Sequence, residues 1–228
     1  MRRLLALALS MLTAFAQPAM AQTIVYETVE VVEEEELPAE PSANERFVVS
    51  PSAAVPRGIA AFGPFRVLDQ GHAALVDATD ERTPAQFAAM VRAYPGLTTL
   101  ELVECPGTED DRANLRLGRM IHARGMATHV PDGGSVRSGG VELFLAGSRH
   151  TAEKGAEFAV HSWADEDGRE AKDYPANAPE NLAYLVYYRE MGMSPAQAAA
   201  FYAMTNSVPN AQAKWLTAAD MGRWVAVN

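Results

Sequence analysis

Residues 98–146 read TTLELVECPGTEDDRANLRLGRMIHARGMATHVPDGGSVRSGGVELFLA, and the order of patterns within them decides the fold. Thr98 to Val103 is a β-rich run, and Cys105-Pro106-Gly107 stops it. Ala113, Leu117, Met120 and Ile121 then recur at helical spacing and form one apolar face, which Gly125 closes. Ala127 to Val130 is a second strand, followed by the loop Pro131-Asp132-Gly133-Gly134. Val141 to Ala146 is apolar apart from Glu142 and reads as a buried helix. Strand, helix, strand, helix in succession predicts parallel pairing through right-handed crossovers.

The same alternation extends outward. Upstream, Phe65 to Leu68 and Ala73 to Val76 read as strands, and Thr83 caps a helix from Pro84 to about Tyr94 with Phe87, Met90 and Val91 on one face. Downstream, Glu157 to His161 is a short strand. The last third is helical, with Asn181 to Met191 and Pro195 to Met204 as its clear segments. No internal repeat is visible.

The N-terminal part has a different composition. Arg2 and Arg3 precede an apolar run from Leu4 to Phe15, and Ala19-Met20-Ala21 gives the small-x-small pattern of a cleavage site. Residues 1–21 therefore read as a signal peptide, with the exported chain beginning at Gln22 and working in the periplasm or outside the cell. Residues 22–55 carry Glu33 to Glu36 and Pro38, Pro41 and Pro51, and read as an acidic, disordered tether before a domain over 56–228. Removing Arg2 and Arg3 takes 19 basic residues to 17 against 29 acidic ones, a net charge of −12. Such a surface repels phosphate backbones and argues against nucleic acid as a partner. No later segment is long and apolar enough to span a membrane. The single Cys105 excludes an internal disulfide.

Several short motifs follow one another in a telling order: Val103-Glu104-Cys105-Pro106-Gly107-Thr108, Leu115-Arg116-Leu117-Gly118, Thr128-His129-Val130-Pro131, Ser138-Gly139-Gly140 leading to Leu145-Ala146-Gly147, and Ala159-Val160-His161. Over roughly residues 65–220 this series resembles the Clp protease proteolytic subunit. It is more closely similar to the secreted ClpP-like proteins of the ClpP/crotonase superfamily. The resemblance implies an α/β fold, a spiral of parallel strands and helices, and a serine peptidase site. It makes Ser138 the nucleophile and His161 the general base, since a serine hydroxyl attacks only when an imidazole takes its proton. It places the oxyanion hole at Gly139 and at the Gly107-Thr108 turn.

The match has two departures. Thr108 stands where a second glycine is usual, and its side chain is expected to crowd the turn. No aspartate follows the long helix, so Asn206 is expected as the third member, with Asn210 the other candidate. Cys105 reads as a small turn residue, and Lys154 and Lys172 lack the apolar context of a catalytic lysine. His72, His122, His129 and His150 have no ligand spacing, so neither metal nor cofactor is expected. The resulting expectation is a hydrolase of peptide or protein substrates using a Ser-His dyad or a Ser-His-Asn triad. The rival is a catalytically inactive ClpP-like scaffold, a pseudoenzyme that oligomerises and binds partners. A crotonase-type acyl-CoA enzyme fits an exported acidic chain poorly. Tyr184, Leu185, Tyr187 and Tyr188 either join copies of the chain into a homo-oligomer or pack inside the monomer.

Overall fold

The computed structural model describes residues 53–228. The proposed signal peptide and nearly all of the segment expected as a tether lie outside the described residues. The first elements in chain order are β1 (Ala60–Phe62), β2 (Phe65–Val67), β3 (His72–Leu75), α1 (Thr83–Ala93), β4 (Thr99–Leu102), β5 (Glu104–Cys105) and α2 (Asp111–Ala123). They continue with β6 (Ala127–Val130), β7 (Ser135–Arg137), α3 (Gly139–Leu145), β8 (His150–Ala152), β9 (Glu157–Val160), α4 (Pro179–Glu190), α5 (Pro195–Thr205), β10 (Lys214–Thr217) and α6 (Ala218–Met221).

Two sheets result, one in the order β1-β2-β3-β4-β6-β8 and one in the order β10-β9-β7-β5. Each turn of the chain lays a strand in the first sheet and then one in the second: β4 then β5, β6 then β7, β8 then β9. This is a spiral. The pairs β3/β4, β4/β6, β6/β8, β5/β7 and β7/β9 are all parallel, as the alternation of strand and helix predicts. Both ends depart from that rule. β1, β2 and β3 form an antiparallel meander because only Gly63-Pro64 and Leu68 to Gly71 connect them, too few residues for a crossover. β10 returns antiparallel onto β9.

The core lies around α3, every residue of which is buried. Leu100 and Leu102 of β4 alternate inward, and Leu117 and Ile121 bring the apolar stripe of α2 against them. Phe144 meets Phe158 of β9 edge to face with ring centroids 4.9 Å apart. Asp110 caps α2 by accepting from the Ala113 amide at 2.8 Å, and Ser194 and Gln197 form a capping box on α5. Tyr187 and Tyr188 are buried within the monomer, whereas Leu182 and Val186 on the same helix are exposed. No helix among the described residues is long and apolar enough to cross a membrane.

Candidate active site

The parallel register of the second sheet brings the candidate residues together. Cys105 pairs with Val136 and Arg137 with Ala159, so Gly107, Ser138 and His161 leave the C-terminal ends of three adjacent strands side by side. The amide of Ser138 donates to Ala159 O at 2.8 Å and ties the serine to the strand that carries His161. Ser138, Gly139, Gly107, Thr108 and His161 all line one cavity of about 340 Å³. The ends of parallel strands are where α/β folds form such clefts.

Ser138 adopts φ 49° and ψ −128°, and it is the only non-glycine residue with positive φ among the described residues. That conformation costs on the order of 1–3 kcal/mol and persists only where its surroundings enforce it. The enforcement is visible. Gly107 has φ +132°, and a methyl there would stand 3.1 Å from Ser138 Cβ. A methyl on Gly139 would meet Thr108 Cγ2 at 2.7 Å, and one on Gly140 would meet Cys105 Cβ at 3.0 Å. The glycines therefore let β5 and its turn close on the start of α3.

Thr108 does not block the turn in the way its side chain suggests from sequence. Its hydroxyl folds back to bond Asp110 O at 3.1 Å and Thr79 O at 3.3 Å, and its methyl packs against Gly139. Cys105 is buried, its thiol aimed at Leu75 O, and burial pushes its ionisation well up, so it is no nucleophile. A residue that sequence reasoning passed over completes the frame. Asn114, 2% exposed, donates to Gly139 O at 2.7 Å and accepts from Thr79 Oγ1 at 3.0 Å, while the Thr79 amide holds Gly107 O at 3.1 Å. Its signal was a lone amide beside Leu115 and Leu117.

The third position requires a correction. Asn206, the expected candidate, caps the end of α5 and turns its amide onto Tyr202 O at 2.8 Å and Thr205 Oγ1 at 3.2 Å. It lines the cavity but leaves His161 to Asn210, whose Nδ2 lies 3.1 Å from His161 Nδ1. A helix-terminal asparagine bonds its own last turn by preference, and the residue four positions later is free to reach across. Glu170 fixes Asn210 by accepting its backbone amide at 3.0 Å.

His161 Nδ1 also lies 2.9 Å from Ser162 O, to which Asn210 Nδ2 donates at 2.8 Å. A carbonyl only accepts, so its bond with the ring puts the hydrogen on Nδ1 and leaves Nε2 with a free lone pair. The amide NH₂ favours the opposite tautomer. Among the described residues no hydrogen bond joins the Ser138 hydroxyl to His161.

Tyr184, Tyr188, Tyr202 and Glu142 line the same cavity as Ser138. Glu142 is 6% exposed, accepts from the Tyr188 hydroxyl at 2.7 Å, and is pushed up to about 7, chiefly by burial. No group of three or more potential metal ligands occurs among the described residues.

The arrangement defines an α/β protein with a serine, an imidazole and glycine-lined turns around one cavity. No family model matches the chain, and no curated protein matches it. Among solved structures it is similar to two mutant forms of the 1510-N membrane-bound stomatin-specific protease. The form in complex with a substrate peptide has a TM-score of 0.47 at 14% identity, covering 67% of this chain and 73% of that one. The other has a TM-score of 0.48 at 13% identity, covering 68% and 76%. A mutant of ClpP1 from Listeria monocytogenes has a TM-score of 0.45 at 15% identity, covering 68% and 88%.

Proposed function

We propose that the protein is a serine peptidase in which Ser138 attacks the carbonyl carbon of a peptide bond and His161 serves as the base. The observation that carries this is the backbone of Ser138, the one strained non-glycine residue described, held at the mouth of a parallel-strand cleft beside His161. Strain of this kind collects at functional sites, where it aims a reactive group.

In the reaction Ser138 Oγ forms a bond to the carbonyl carbon as its proton passes to His161 Nε2. The amides of Gly139 and of the Gly107-Thr108 turn receive the developing oxyanion. Collapse breaks the C–N bond, and His161 returns the proton to the departing amine. Water then adds to the acyl-enzyme, His161 takes its proton, and release of the acid restores Ser138. Asn210 orients the ring without supplying a countercharge, so this triad is slower than one with a carboxylate.

The basic start, apolar run and Ala19-Met20-Ala21 support export before the enzyme acts. Incubating the protein with a mixture of unstructured peptides and identifying products by mass spectrometry tests the activity. New termini should form with wild type and be absent with S138A and with H161A. A second reading, an inactive scaffold, is favoured by Asn210 in place of a carboxylate and by the absent Ser138–His161 bond; uncleaved peptides would support it.

A further inference from the structure

The cavity reaches beyond the atoms that peptide hydrolysis needs. Glu142 follows Ser138 by four residues, which on a helix is about one turn and about 6 Å further along the same face. That is the reach of a lysine or arginine side chain from the acyl carbon held at Ser138. The same cavity is lined by Tyr184, Tyr188 and Tyr202, and by Asp111, which is exposed to solvent. Among the described residues no lysine or arginine lines the cavity.

The burial of Glu142 is the telling fact. A carboxyl group this enclosed either keeps its proton or is matched by a cation, and ionising it unmatched is costly. Its side-chain partner is the Tyr188 hydroxyl, which satisfies one oxygen but offers no charge. The rings add a second, independent preference, because aromatic faces attract ammonium and guanidinium groups but give no such gain to an uncharged chain.

We propose that this cavity is a specificity pocket for a cationic side chain, lysine or arginine on the acyl side of the cleaved bond, with Glu142 as its charge partner. The assignment rests on Ser138 as nucleophile and names the substrate that this site selects. The tyrosines hold the aliphatic stem, and Asp111 draws the cation in from solvent. A hydrophobic residue of equal length gains the stem contacts and leaves the carboxylate unpaired.

Two diphenyl phosphonate probes that differ only in carrying a lysine or a norleucine side chain test this with the full chain. Labelling forms the Ser138 Oγ–P bond and breaks one P–O bond, and the serine proton leaves with phenol. The lysine probe should label at least about tenfold faster, the effect of one well-placed charge pair. In E142Q, which keeps an acceptor for Tyr188, the ratio should fall to about one while circular dichroism shows a folded chain. A wild-type ratio of one or less, or a preference that survives in E142Q, overturns the proposal. If neither probe labels, calorimetry with benzamidine decides separately. Saturable binding that E142Q abolishes upholds the cation pocket while the hydrolase assignment falls, and no binding to wild type overturns both.

Discussion

His161 Nδ1 lies 3.1 Å from the amide nitrogen of Asn210, and the same nitrogen donates to Ser162 O at 2.8 Å. The donor thus competes with the carbonyl for control of the imidazole tautomer. Replacing it by a carboxylate removes the competition and adds a countercharge for the imidazolium. N210D should therefore raise the rate of Ser138 labelling by at least about tenfold, while N206D, whose side chain serves Tyr202 and Thr205, should change it by less than about twofold. Equal acceleration by both variants would remove Asn210 from its assigned role.

Gly107 cannot be replaced without cost. Alanine there must adopt φ +132° and push its methyl against Ser138 Cβ. G107A should lose roughly 1–3 kcal/mol, lowering the thermal midpoint by about 2–4 °C for each kcal/mol. It should also slow labelling, because Ser138 is what it displaces. A variant with unchanged midpoint and rate would show that the turn tolerates a side chain.

Asn114, through Thr79, links the Gly107 turn to the start of α3. N114A leaves Gly139 O and the Thr79 hydroxyl without their buried partner, at a cost of roughly 1–3 kcal/mol. Denaturant unfolding should show that loss, and N114D should fail to restore it because a carboxylate cannot donate to Gly139 O.

Glu142 makes stability depend on pH in a defined direction. Its ionisation is raised from the ordinary 4.5 to about 7 in the folded chain, chiefly by burial, with Asp111 adding to the shift and Tyr188 opposing it. The folded state therefore binds this proton more tightly than the unfolded state. Its contribution is complete below pH 4.5, falls as pH rises toward 7, and stays low above that. The loss is on the order of 3 kcal/mol. Urea unfolding at pH 5 and pH 7.5 should show it in wild type, with a smaller difference in E142Q. The same difference in both would assign the effect elsewhere.

Much of the fold is legible because its signals are long. The stripe of Leu117 and Ile121 and the alternation of Leu100 and Leu102 each span several residues and survive in the structure. What escaped is short. β5 and β7 have two and three residues, and β7 is buried throughout, so neither shows a period. β8 is equally brief, and β10 lies beside a helix start that dominates its neighbourhood. At the site, Ser138 and His161 stand out through motif order, and the structure places both on one cavity. Asn210 and Asn206 are two amides four residues apart, and no local pattern tells which one folds back on its helix. Glu142 hides as the one charge inside an apolar run, its meaning set by Tyr188 forty-six positions away.

A fluorophosphonate probe tests directly whether Ser138 is a nucleophile activated by His161. Wild type should form a covalent adduct that mass spectrometry maps to Ser138. H161A should label slower by on the order of a hundredfold or more, and S138A should stay blank. Folded wild type that remains unlabelled beside a reacting control hydrolase, or an adduct that persists in S138A, would rule out Ser138 as the nucleophile.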